Sequence, residues 1–210
     1  MRLRNVKEAG DILEDGKYYL SNYKGFKGKF RDYFGNDNPI YLEIGTGKGD
    51  FIIESSMRNK DINYIGMEKY DSVIVRAIQK SNEVDVNNLA FIRANAIYLE
   101  DIFDGEIDTI LLNFSDPWPK DRHSDRRLTS RKFLERYDKV FRGAKRIVMK
   151  TDNAPLFDFS LESLRDYGYT IVYENRNLGE YEDGNVMTEY EKRFRKLGEK
   201  INKLVAYKED

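Results

Sequence analysis

The chain has 210 residues, of which 35% are charged, 40% hydrophobic and 13% aromatic. That fits one domain, too apolar and aromatic for a disordered polymer and too charged for a set of membrane spans. Lys+Arg 36 against Asp+Glu 37 leaves a formal net charge of -1, so the total names no partner, and the lack of cysteine excludes disulfides, thiolate metal sites and cysteine nucleophiles.

The first eleven residues carry no apolar run of the kind a signal peptide needs, and no stretch approaches a membrane span, so a soluble, cytoplasmic domain is expected. Residues 1–38 have weak apolar periodicity and a basic excess, with eight Lys or Arg against four acids in residues 1–31. They read as a basic, loosely held arm ahead of a single domain at 39–210. From Pro39 short apolar runs alternate with amphipathic stretches. Strands are predicted at Ile40–Ile44, 63–67, Leu89–Arg93, Ile107–Asn113, 146–150 and 169–174, with a last extended segment starting near Met187. Helices are predicted at Asp50–Arg58, 72–82, 130–141 and 156–167, the last ended by Gly168. This alternation implies an α/β fold: a mainly parallel, seven-stranded sheet with helices on both faces. Only a loop at 175–186 separates the final two strands, so they should form an antiparallel hairpin.

The first strand runs into Glu43-Ile44-Gly45-Thr46-Gly47-Lys48-Gly49-Asp50. Glycines let a ligand approach the backbone closely, and the following helix start presents free N–H groups. Such a run also suits an ordinary tight turn. Here the G-x-G-x-G spacing departs from a dinucleotide fingerprint, and Glu43 would repel a pyrophosphate but suit a cationic ligand. Glu68 closes the second strand, where an acid can accept from both ribose hydroxyls or simply cap the next helix. Asn95, after the third strand, could bond an adenine edge or serve as a turn residue. These stations resemble the S-adenosylmethionine site of class I methyltransferases, and the resemblance implies a Rossmann-like fold over roughly residues 40–174.

After the fourth strand comes Asp116-Pro117-Trp118-Pro119-Lys120, then Arg122-His123 and Arg126-Arg127-Leu128-Thr129. Two prolines around the single tryptophan stiffen this loop. Residues 116–146 hold eleven Lys or Arg against five acids, a basic stretch that is either a solvated face or a phosphate-contacting one. Together with Lys150-Thr151-Asp152-Asn153 and Thr188-Glu189-Tyr190-Glu191-Lys192-Arg193-Phe194, this segment is similar to the signatures of bacterial tRNA (guanine-N7)-methyltransferases over nearly the whole chain. The resemblance implies methyl transfer from S-adenosylmethionine to N7 of a guanine at position 46 in the tRNA variable loop. It implies that Glu43, Gly45, Gly47, Gly49, Glu68, Asn95 and Asp116 hold the cofactor, with Asp116 also the catalytic carboxylate. Lys120, Asp152, Thr188 and Glu191 would bind the guanine, and Arg122, His123, Arg126 and Arg127 would face RNA. Asp121 and Asp125 stand where family members often have basic residues, which weakens the local field for RNA.

Guanine N7 carries an in-plane lone pair and attacks a sulfonium methyl without first losing a proton. No strong base is needed, in keeping with one histidine and no cysteine, and no metal site is indicated. His123 reads as an RNA-facing or loop-stabilising ring. Asp152 could instead cap the helix near Leu156, and Thr188 and Glu191 could belong to a surface strand pair. The rival functions are methyl transfer to another base or a small molecule, and a non-catalytic RNA-binding domain.

Overall fold

The computed structural model describes residues 12–13, 15–179, 182 and 184–209. The apolar runs form β1 (Ile40–Ile44), β2 (Asn63–Glu68), β3 (Leu89–Arg93) and β4 (Ile107–Asn113), all buried and parallel. β5 (Phe141–Thr151) continues the parallel set beside β4, and β7 (Asn202–Lys208) lies antiparallel between β5 and the edge strand β6 (Thr170–Asn175). The seven-stranded order is therefore β3-β2-β1-β4-β5-β7-β6. Side-chain alternation splits the core into two layers. Ile40, Leu42, Ile65, Ile92, Ile110 and Ile147 face one side, while Tyr64, Leu89, Phe91 and Leu111 face the other.

The first layer is covered by α1 (Phe30–Phe34), α4 (Leu99–Ile102), α5 (Arg131–Tyr137) and α6 (Ala154–Asp166). The second is covered by α2 (Asp50–Arg58) and α3 (Asp71–Ser81). Helices on both faces of a mainly parallel sheet are as expected from the sequence. Two boundaries differ. The helix predicted at 130–141 stops at Tyr137, because Phe141 pairs with Ile107 and opens β5 well before residue 146. The extended segment predicted from Met187 is instead α7 (Glu189–Lys196), and the last strand begins only at Asn202. The antiparallel pairing of β6 with β7 stands, but a helix as well as a loop connects them.

The N-terminal segment also differs from the loosely held arm expected of it, as far as it is described; residues 1–11 and 14 lie outside the described residues. Leu20 N–H donates to Phe91 O at 2.9 Å and Phe91 N–H to Tyr18 O at 2.7 Å, so this stretch runs along β3 and shields the sheet edge. Phe30 and Phe34 are buried, and the Phe30 and Phe103 ring centroids are 5.0 Å apart. The buried Glu106 carboxylate accepts from the backbone of Gly28 (2.7 Å), Phe30 (2.9 Å) and Asp104 (3.1 Å), fastening the segment to the sheet. Isolated aromatic anchors without a helical or strand period hold it, so periodicity was silent.

Candidate functional site

A cavity of about 770 Å³ opens at the carboxyl ends of β1, β2, β3 and β4, where open α/β sheets place their ligands. Of the glycine turn only Gly45 borders it; Gly47 and Gly49, also expected to hold the cofactor, are not among the lining residues. Gly45, Gly47 and Gly49 have φ of 80°, 62° and 81°, a left-handed run that side chains disfavour. A Cβ on Gly49 would sit 2.8 Å from the Ala77 Cβ, so the absent side chain also sets how closely α2 meets α3. Gly45 lines the cavity.

Glu43 lies beneath this turn rather than in the cavity wall. It is buried, and its Oε2 accepts from Thr46 Oγ1 (2.5 Å) while Oε1 accepts from Asn113 Nδ2 (2.7 Å). One carboxyl group thereby joins the glycine turn to the end of β4. Burial pushes its pKa up to about 7, against the pull of Asn113 and Thr46. Glu68 does line the cavity. Its Oε1 accepts from the backbone of Lys69 (2.8 Å) and Tyr70 (3.0 Å), and its Oε2 from Gly47 N–H (3.3 Å). Burial raises the Glu68 pKa, with these three backbone donors opposing it. Asn95 also lines the cavity, and its Oδ1 accepts from Ile97 N–H at 3.2 Å. It therefore both caps a short turn and borders the site.

The loop after β4 supplies the opposite wall. Phe114 and Trp118, with φ of 53° and 43°, are the only non-glycine residues of positive φ among the described residues, and they flank Asp116. Backbone strain of this sort persists only where surrounding contacts enforce it. Arg127 is one enforcer: its Nε donates to Pro117 O (3.2 Å), its second terminal nitrogen donates to Trp118 O (3.1 Å), and its guanidinium lies 4.3 Å from the Phe159 ring centroid. Asp116 lines the cavity and is open to solvent. Trp118, Arg122, His123 and Arg126 also border it, with the Arg126 guanidinium 4.9 Å from the Trp118 ring centroid. Exposed Arg122 and Arg126 make this rim basic.

Lys120, Asp152, Thr188 and Glu191 are not among the cavity-lining residues. Asp152 is half-buried and accepts from Tyr190 Oη at 3.4 Å; Asn153, not Asp152, caps α6 by accepting from Leu156 N–H at 2.8 Å. Thr188 caps α7, its Oγ1 accepting from Glu191 N–H at 2.8 Å, so neither residue belongs to a strand pair. Glu191 is fully buried against Lys150 and Arg195. The Phe114 and Tyr190 ring centroids are 4.9 Å apart, which joins the start of α7 to the cavity wall. Sequence reasoning missed Ser115, whose buried Oγ has no partner and which lines the cavity beside Asp116. It also missed Thr46 and Asn113, whose roles depend on the buried position of Glu43.

The donor set fits a nucleoside-bearing ligand: a buried carboxylate at the end of β2, an amide after β3, and an unpartnered hydroxyl just past β4. Sheet order and cavity together define a Rossmann-like, class I methyltransferase fold. The chain is 49% identical to the tRNA (guanine-N(7)-)-methyltransferase of Lachnoclostridium phytofermentans, over 100% of this chain and 99% of that protein. It is 46% identical to the protein of that name from Bacillus subtilis, over 96% of each. The chain belongs to this methyltransferase family, and residues 37–204 match the family model described as "Putative methyltransferase". Among solved structures, the 16S rRNA methyltransferase KamB aligns with a TM-score of 0.65 at 13% identity, over 87% of this chain and 94% of that one. Sp1610 of Streptococcus pneumoniae, solved in complex with S-adenosyl-L-methionine, aligns with a TM-score of 0.54 at 16% identity, over 98% of this chain and 73% of that one. Likeness at that identity speaks for the fold.

Proposed function

We propose that the protein transfers a methyl group from S-adenosyl-L-methionine to N7 of a guanine in the tRNA variable loop, at position 46, and works in the cytoplasm. The observation that carries this reading is the convergence of Glu68, Asn95 and Asp116 on one cavity whose rim bears Arg122 and Arg126. The high similarity to enzymes of that name supports the choice of acceptor. No helix among the described residues is long and apolar enough to cross a membrane, and no group of three His, Cys, Asp or Glu among them could hold a metal ion.

When bound, S-adenosyl-L-methionine supplies an electrophilic methyl on a cationic sulfur. Glu68 would accept from the ribose hydroxyls, Asn95 and Ser115 would bond the remaining polar edges, and Gly45 would let the ligand lie close to the backbone, with Gly47 and Gly49 shaping the turn behind it. Glu43 acts from beneath, holding Thr46 and Asn113. The guanine N7 needs no base, so the protein contributes alignment, and orientation effects of this kind can reach about 7–11 kcal/mol. Methylation leaves the guanine ring cationic, and Asp116 stabilises that charge as it develops. Lys120, Asp152 and Thr188 would meet the base, with Glu191 buried behind them, while Arg122, His123 and Arg126 would meet the RNA, with Arg127 bracing the loop they stand on. A tRNA transcript carrying 7-deazaguanine lacks the acceptor nitrogen and should take up no methyl, whereas the ordinary transcript should. Equal methylation of the two would overturn the choice of N7.

A further inference from the structure

Lys150 is the penultimate residue of β5, its side chain buried and only 3% exposed. Its Nζ donates to Glu191 Oε2 at 2.7 Å, to Val186 O at 2.7 Å and, at 3.3 Å, to Asn185 Oδ1. These three acceptors match the three donors of an ammonium. Glu191 is 0% exposed and is as fully engaged. Its Oε1 accepts from Asn185 Nδ2 (3.1 Å) and from Arg195 Nε (3.0 Å) and a terminal Arg195 nitrogen (2.8 Å). Arg195 also donates to Leu178 O at 2.8 Å. Every group in this cluster ties the connection between β6 and α7 to the end of β5. The same connection carries Thr188, which caps α7, and leads into Tyr190 of its first turn, which reaches Asp152 and Phe114. Glu189 adds an exposed link, its Oε1 accepting from Lys48 Nζ of the glycine turn at 2.9 Å.

We propose that Lys150 is a positioning residue for methyl transfer: through its buried pair with Glu191 it fixes residues 185–190 beside Asp152, so that Glu191 acts as an anchor and not as a contact to guanine. This rests on the function proposed above. The oxygens of Glu191 already meet Lys150, Arg195 and Asn185, and the side chain is closed to solvent. A carboxylate so placed reaches a base only if the cluster opens, and opening it would strand the Lys150 ammonium without its counter-charge.

The test compares Lys150→Met, Glu191→Gln and the double variant in steady-state methylation of a tRNA transcript. Cofactor affinity is read by calorimetry and folding by thermal melting. Each single variant strands one buried polar partner and should raise the KM for tRNA at least tenfold, with cofactor affinity within threefold of wild type. Because both residues serve one anchor, their effects should not add, and the double variant should raise KM no more than about threefold beyond the poorer single variant. A double variant whose rise in KM is the product of the two single rises, yet folded and binding cofactor normally, would overturn the proposal, since Glu191 would then act apart from Lys150. Unchanged KM in either single variant would also overturn it, as would equal loss of cofactor binding. If a single variant fails to fold, Arg195→Ala loosens the same anchor from its partly exposed side and should raise KM about threefold; an unchanged KM there would count against the anchor. Wild-type methylation at N7 in the same assay reports separately on the proposed function.

Discussion

Asp116 owes its place to its neighbours. Phe114 and Trp118 adopt left-handed backbone on either side of it, and Arg127 holds the carbonyls of residues 117 and 118. In the proposed reaction a carboxylate so placed would stabilise charge with little reorganisation. Asp116→Asn keeps the shape and removes the charge, so kcat should fall by about 10²-fold at saturating tRNA and cofactor; near wild-type turnover would show that charge at this position is dispensable. Glu43 is governed by burial. Its folded-state pKa, raised from 4.5 to about 7, means the folded protein binds this proton more tightly than the unfolded chain does. The group's contribution to stability is therefore full below pH 4.5 and is lost as pH rises through 7. Glu43→Gln removes that titration, so the Tm of the variant relative to wild type should rise between pH 5 and pH 8. Parallel Tm curves across that range would contradict a buried, proton-binding Glu43.

At the scale of elements, the glycine turn and α7 make contrasting cases. Gly47 and Gly49 share positive φ, but only at Gly49 would a Cβ meet a neighbour, the Ala77 Cβ at 2.8 Å. Gly47→Ala should cost about 1–2 kcal/mol, the price of left-handed backbone alone. Gly49→Ala adds a clash between α2 and α3 and should destabilise further and weaken cofactor binding more; equal losses in the two variants would remove the packing argument. The strands β1 to β4 and the turn between β1 and α2 were legible because apolar runs and glycines each carry a local physical meaning. α7 was not, because Glu189–Lys196 is mostly charged and its apolar face is a single i, i+4 pair, Tyr190 and Phe194. Its other local mark was the Thr188-x-x-Glu191 capping spacing, of which the structure uses half: Thr188 caps the helix, but Glu191 turns to Lys150. Buried ion pairs between distant segments leave no periodicity, so the anchoring of Glu191 could be read only from the fold. The cavity residues Glu68, Asn95 and Asp116 were legible, since each lies at or just past the carboxyl end of a strand. The bracing role of Arg127 was not, because it depends on which carbonyls the loop turns inward.

Across the whole molecule, near-neutral total charge conceals an uneven surface. The basic rim at Arg122 and Arg126 lies over the same cavity that Glu68 and Asp116 make acidic within. Binding of tRNA should weaken with salt, log K falling by about 0.7–0.9 per phosphate contact for each tenfold rise in salt. An Arg122→Ala/Arg126→Ala variant should reduce that slope by about 1–2, and an unaltered slope would move the RNA interface elsewhere. The packed N-terminal segment covers the β3 edge through Tyr18 and Leu20 and is fastened below β4 by Glu106, and none of its described residues lines the cavity. The most direct measurement is to incubate the protein with labelled S-adenosyl-L-methionine and unmodified tRNA, digest the RNA and identify the labelled nucleoside. Label in 7-methylguanosine at position 46 is the expected result; label on an adenine nitrogen, on an exocyclic amine or nowhere would contradict a donor aligned with guanine N7 beside Asp116.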